Sequence, residues 1–65
     1  MKPPPPYSWE ELQACAEREV GWRKKVYPNR VQANRMTQHQ ALLEIRRMEA
    51  IVEHFAELAK GERLL

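Results

Sequence analysis

The chain has 65 residues, a formal net charge of +2, 43% hydrophobic residues and one cysteine. This length allows one small domain with a thin core, because a domain of about 60 residues buries only about 60% of the surface that its unfolded chain exposes. The single cysteine, Cys15, excludes an intrachain disulfide and a zinc site built from several cysteines, and so mild a net charge does not by itself favour nucleic acid.

Residues 1–7 form a proline-rich leader. Pro3 to Pro6 are consecutive prolines, which lack backbone donors and favour an extended polyproline II conformation. Two interpretations stay open for the leader: a stiff solvated tail, or a docking segment for an aromatic groove on a partner. These residues lack the apolar run of a signal peptide or a membrane span, and the cysteine is unpaired, which predicts a cytoplasmic protein without a membrane partner.

A first helix is predicted from Trp9 to Tyr27. Ser8 and Glu11 have the spacing of a capping box, in which the serine hydroxyl accepts from the backbone amide three residues later. Apolar residues then recur at helical spacing along one side. Cys15 falls on this apolar side, which predicts a small buried thiol rather than a nucleophile.

The connector is predicted to contain a short helical turn over about residues 28–34. Pro28 disfavours the α conformation at the preceding residue, so the first helix is expected to end there. Pro28 can then begin the short turn as its first residue. Asn34 is predicted to close the turn in the left-handed conformation.

A second helix is predicted from about residue 37 to residue 60. Thr37 and Gln40 have the spacing of a second capping box, which marks its start. The apolar residues that follow have a heptad spacing, which indicates one continuous seam against another helix. They are Ala41, Ile45, Met48, Val52, Phe55 and Ala59.

The helical patterns occupy residues 8–61, with no strand-like alternation between them. Gly61 is expected to end the second helix just past Lys60, which leaves residues 62–65 as a C-terminal tail whose two leucines fold back or fray. The predicted fold is therefore an all-α antiparallel helical hairpin.

The two apolar stripes are wider than one seam between two helices can cover. We therefore predict that the surplus residues contact another macromolecule or a second copy of the chain, and two paired hairpins would form a four-helix homodimer. The alternative is a monomer in which the proline leader and the C-terminal leucines cover this surface. The residues predicted for the partner or self-interface are Trp9, Trp22, Val26, Tyr27, Ile51, Phe55 and Leu58.

Positive charge is concentrated around the predicted bend. Residues 18–47 contain eight basic and two acidic side chains, a net charge of +6, and the remaining residues have three basic and seven acidic ones, a net charge of −4. This distribution supports a second function hypothesis, a nucleic-acid-binding protein of helix-turn-helix type. The residues of the basic bend are Arg23, Lys24, Lys25, Arg30, Arg35, Arg46 and Arg47.

No residues have the spacing of a catalytic or metal site. His39 and His54 are fifteen residues apart, about four helical turns, and cannot share one metal within a helix. The chain is also too short to enclose a typical ligand cavity by itself. The sequence therefore predicts no enzyme activity and no cofactor.

A distinctive pattern extends from Arg23 to about Glu57, roughly half of the chain. Its parts are Val26-Tyr27-Pro28, Val31, Arg35-Met36-Thr37, Glu44-Ile45, Met48 and Ala50-Ile51. The pattern resembles a group of short proteins encoded by tailed bacteriophages and prophages of Gram-negative bacteria. The resemblance implies a phage origin, and with it a small adaptor or inhibitor that binds a host protein such as a transcriptional regulator.

Overall fold

The computed structural model describes residues 2–63, except for the side chain of Arg63. It contains two α-helices, α1 (Trp9–Gln32) and α2 (Gln38–Arg63), which pack against each other. The helices are antiparallel, because Trp9 at the start of α1 contacts Glu62 near the end of α2. No strand occurs within residues 2–63. The predicted all-α helical hairpin is therefore confirmed.

The proline leader contains a turn, so the prediction of a continuous polyproline II segment is wrong. The backbone N–H of Tyr7 donates to the carbonyl of Pro4 at 2.9 Å. A polyproline II helix has no internal hydrogen bonds, whereas this bond reverses the chain just before α1. The helix then begins at Trp9 as predicted, with the Ser8 hydroxyl accepting from the N–H of Glu11 at 3.1 Å.

α1 continues through Pro28 to Gln32, so the prediction that it ends at Tyr27 is wrong. A proline inside a helix removes one hydrogen bond and costs about 3 kcal/mol. The added turn offsets part of this cost by packing, because Val31 is half-buried beside α2. The helical turn that was predicted after Pro28 is present, but it belongs to α1.

The end of α1 has the hydrogen bonds of a Schellman motif. The N–H of Asn34 donates to the carbonyl of Val31 at 3.1 Å, and the N–H of Arg35 donates to the carbonyl of Arg30 at 2.9 Å. Asn34 has φ 59°, the left-handed conformation that this motif requires. The predicted role of Asn34 is therefore confirmed.

α2 begins with a complete capping box. The Thr37 hydroxyl accepts from the N–H of Gln40 at 3.0 Å, and the Gln40 side chain accepts from the N–H of Thr37 at 3.1 Å. The predicted end is wrong, because α2 continues past Gly61 to Arg63. The glycine does not have a positive φ, and the additional turn brings Glu62 to the first residue of α1. Leu64 and Leu65 of the predicted tail lie outside the described residues.

The core between the helices is thin. No large side chain of the described residues has an exposed fraction below 2%. The ring of Trp9 stacks on Phe55, with ring centroids 5.8 Å apart. Alanine makes up more than half of the buried set, which consists of Trp9, Ala16, Tyr27, Ala41 and Ala59.

Cys15 is exposed, so the prediction of a buried thiol is wrong. Its neighbour Ala16 is one of the buried residues. Successive residues of a helix point about 100° apart, and a single short partner helix covers too narrow a part of α1 to bury both.

Candidate functional site

The seven residues predicted for an interface differ in exposure. Trp9 and Tyr27 are 6% and 7% exposed, so they belong to the core of the hairpin, and their assignment to an interface is corrected. Trp22 and Ile51 are 46% and 42% exposed. The remaining three, Val26, Phe55 and Leu58, are half-buried.

Trp22 is exposed but held in place by its neighbours on α1. The guanidinium carbon of Arg30 lies 5.3 Å from the centroid of the Trp22 ring and 5.6 Å from that of Tyr27. The two rings meet edge to face, with centroids 6.1 Å apart. Cation–π and edge-to-face contacts of this kind restrict the rotamers of an exposed aromatic side chain. These contacts favour one orientation of the Trp22 ring before any partner binds.

Trp22 and Ile51 lie on the same side of the hairpin. The ion pair between Lys24 and Glu49, at 3.1 Å, marks one side of the seam between the helices. At about 100° per residue, Trp22 points away from Lys24 on α1 and Ile51 points away from Glu49 on α2. Val26 and Leu58 point to the same side by this spacing. We refer to Trp22, Val26, Ile51 and Leu58 as the Trp22 face.

Arg23, predicted as part of the basic bend, joins the two helices. It donates to the backbone carbonyl of Glu44 on α2 at 2.8 Å and to the carboxylate of Glu19 on α1 at 3.0 Å. Its side chain is only 20% exposed. Arg23 therefore stabilises the hairpin, and little of it is left for a partner.

Two further cations of the basic bend are paired with glutamates. Arg47 lies 2.7 Å from Glu44, and Lys24 lies 3.1 Å from Glu49. Exposed pairs such as these stabilise a protein by about 0–1 kcal/mol, and a ligand can replace them. The other residues of the basic bend are all exposed: Lys25, Arg30, Arg35 and Arg46.

An apolar groove lies where the two helices approach the bend, on the side of Lys24 and Glu49. It has a volume of about 330 Å³, and Leu42 at its edge is 46% exposed. The sequence patterns did not indicate it, because it lies between the two helices and one of its lining residues, Val31, is on the turn by which α1 continues past Pro28. We call it the bend groove, and its lining residues are Tyr27, Pro28, Val31, Gln38, Ala41, Leu42 and Ile45.

Basic residues border the bend groove. Lys24 precedes Pro28 by one helical turn, and Arg46 follows Leu42 by one turn, so each lies beside a lining residue. Arg35 lines an adjoining pocket that shares two residues with the groove. An apolar surface edged with positive charge is therefore present at the bend.

The proline leader lies against the open end of the hairpin, opposite the bend. Lys2 and Pro3 line one pocket together with Trp9 and Leu58. The leader thus covers part of this end, as in the alternative of a monomer with a lid. Trp22, near the middle of the rod, stays 46% exposed with the leader in this position.

Metal-binding and membrane-spanning features do not occur among the described residues. Within residues 2–63, no three or more side chains of His, Cys, Asp or Glu lie close enough together to hold a metal ion. Neither α1 nor the described length of α2 is both long and apolar enough to cross a membrane.

No protein-family model, curated protein or solved structure matches this chain. The resemblance to small phage proteins, and the function that it implies, therefore stay predictions.

Proposed function

We propose that the protein is a small adaptor or inhibitor of the phage type, without enzyme activity, that binds a host protein in the host cytoplasm. The bend groove is its contact surface. The observation that carries this proposal is an apolar groove, with Leu42 46% exposed at its edge, in the most basic part of the chain. A contiguous exposed apolar surface on a soluble protein often marks an interaction site.

The groove suits an amphipathic segment with acidic residues. Its volume of about 330 Å³ admits a few apolar side chains, at the lower end of the about 300–1,000 Å³ of ligand pockets. A helix that places its apolar side in such a groove is a common mode of recognition. Arg35 and Arg46 would attract acidic residues beside these anchors and speed the encounter.

Nucleic acid is the alternative partner, and the net charge of +6 over residues 18–47 favours it. Against it, Arg23, Lys24 and Arg47 already contact glutamates. Phosphate contacts do not use an apolar groove, whereas a protein partner does. A duplex bound through the bend would lose affinity steeply with added salt, and removing the side chain of Leu42 would leave that binding unchanged.

The test is affinity capture from a bacterial lysate with the wild type and two glutamate variants. Leu42→Glu places a charge at the groove, and Ala50→Glu adds the same charge at an exposed position of α2 away from it. We expect one host protein to be captured by the wild type and Ala50→Glu. For that purified protein, Leu42→Glu should weaken binding at least about tenfold, equivalent to about 1.4 kcal/mol.

Three outcomes contradict the proposal. The first is that no protein is captured at low or moderate salt. The second is that Leu42→Glu and Ala50→Glu bind the captured protein equally well. The third is that the wild type binds a random duplex with a steep salt dependence that neither variant changes, which would favour nucleic acid.

A further inference from the structure

The Trp22 face lies on the other side of the hairpin from the bend groove, and the proposed function leaves it unused. Its two most exposed side chains, Trp22 and Ile51, are 46% and 42% exposed. Both lie within two residues of the midpoints of their helices, Trp9–Gln32 and Gln38–Arg63. We infer that this face binds a second copy of the chain, with the two hairpins packed face to face and antiparallel.

The exposed area of the chain matches what such a dimer needs. The chain exposes 5234 Å², whereas a compact monomer of its mass is expected to expose about 4300 Å². The excess of about 900 Å² is close to the about 800 Å² that each partner buries in a standard interface. The radius of gyration, 14.4 Å, also exceeds the about 11 Å of a compact domain of this length. A second rod packed along the first would lower the exposed area of each chain to about 4400 Å².

The charge distribution selects the antiparallel arrangement. Residues 18–47, around the bend, have a net charge of +6, and the rest of the chain has −4. A twofold axis along the rods would place bend beside bend, whereas an axis across the rods places each bend beside the open end of the partner. Charges within a Debye length of about 10 Å interact across such an interface. The antiparallel dimer therefore pairs opposite charges at both ends.

The position of Trp22 and Ile51 fits the same symmetry. In a twofold dimer, residues close to the axis contact their own copies in the partner. With the axis across the rods at their middle, Trp22 meets Trp22 of the second copy, and Ile51 meets Ile51. The Arg30 guanidinium carbon, 5.3 Å from the centroid of the Trp22 ring, restricts this side chain before binding, so less rotamer freedom is lost on association.

The first experiment is sedimentation equilibrium of the full chain, over concentrations of about 1–100 μM so that monomer and dimer are both sampled. We expect the wild type to reach about 15 kDa, twice the 7.7 kDa of one chain. Ile51→Lys should raise the dissociation constant at least about tenfold. The control is Leu42→Lys, because Leu42 lies on the other side of α2 and is 46% exposed, against 42% for Ile51. Far-UV circular dichroism checks that both variants remain helical.

The second experiment measures the arrangement directly. A spin label at Ala33→Cys, in a Cys15→Ser background, lies near the bend, about three helical turns from Trp22. In the antiparallel dimer the two labels should be about 35–40 Å apart, from the length of α1 at 1.5 Å per residue. In a parallel dimer they would be less than about 20 Å apart, because packed helix axes are about 8–10 Å apart.

Three results would overturn the inference. The wild type could stay at 7.7 kDa at the highest concentration, or Leu42→Lys could disrupt the dimer as strongly as Ile51→Lys. The third result is a distance of less than about 20 Å between the two spin labels. These results are independent of the proposed function. Binding of a host protein is lost with Leu42→Glu, whereas dimerisation is lost with Ile51→Lys.

Discussion

Trp9 is 6% exposed and stacks on Phe55 of α2, whereas Trp22 is 46% exposed and contacts Arg30 and, edge to face, Tyr27 of its own helix. The two residues are of one type in one helix of one short chain. The difference lies in which direction each points relative to α2. Trp9 points into the seam, and Trp22 points about 140° away from it around the helix axis, at about 100° per residue.

The two tryptophans have different roles in the molecule. Trp9 holds the hairpin together, because its contacts are with the other helix. Trp22 adds little to that seam, and its contacts within α1 orient the ring toward solvent. Substitution of Trp9 is therefore expected to change the free energy of unfolding of the hairpin. Substitution of Trp22 is expected to change the association of two hairpins.

The largest effect is expected from Trp9→Ala. Truncation of a buried tryptophan costs about 3–5 kcal/mol, and the lower value is expected here because the surrounding core is thin. We predict a loss of about 3 kcal/mol in the free energy of unfolding by urea, measured at a concentration where the chain is monomeric.

The matched control is Trp22→Ala in the same experiment. Its side chain is 46% exposed, so the loss should be less than about 1 kcal/mol. Equal losses for the two variants would mean that Trp22 is part of the core in solution, and the distinction between the regions would fail.

The sequence predicted both helices, both cap residues and the left-handed Asn34, because these depend on residues within a few positions of each other. It did not distinguish Trp9 from Trp22, since both fit a broad apolar stripe. The choice depends on how α2 lies against α1, and helical periodicity alone does not specify this.

The end of α1 was predicted wrongly for a related reason. Pro28 is a local signal for a helix end, and the local preference was overridden by the packing of Val31 beside α2 and by the Schellman motif around Asn34. The bend groove is lined by residues of both helices, and one of them, Val31, lies on this added turn. The proposed contact surface therefore could not be found from the pattern of either helix alone.

A smaller effect is expected at the start of α1. Both carboxylate oxygens of Glu62 lie near the backbone N–H of Trp9, at 3.1 and 3.3 Å. A negative charge at a helix N-terminus is favourable, and a charge-assisted hydrogen bond is stronger than a neutral one. Glu62→Gln keeps the size and removes the charge, so it should destabilise the hairpin by about 1 kcal/mol.

The control for Glu62→Gln is Glu57→Gln, an exposed glutamate on the same helix. It should change the midpoint of thermal unfolding by less than half as much as Glu62→Gln. If the two variants unfold at the same temperature, the contact between Trp9 and Glu62 does not contribute to stability. The start of α1 is then held against α2 by the stacking of Trp9 on Phe55.

The smallest effect concerns the region of Trp22. The Arg30 guanidinium lies 5.3 Å from the Trp22 centroid, and a cation–π contact at an exposed site contributes about 0.5–1 kcal/mol. A double-mutant cycle with Trp22→Leu and Arg30→Gln, measured by urea unfolding of monomeric protein, should give a coupling energy near the lower value, about 0.5 kcal/mol. The same cycle between Arg30→Gln and Trp9→Phe should give no coupling, because these side chains lie in different regions of α1. A zero coupling for Trp22 would mean that its ring is not held before binding, and a partner would then have to fix it at the cost of its rotamer freedom.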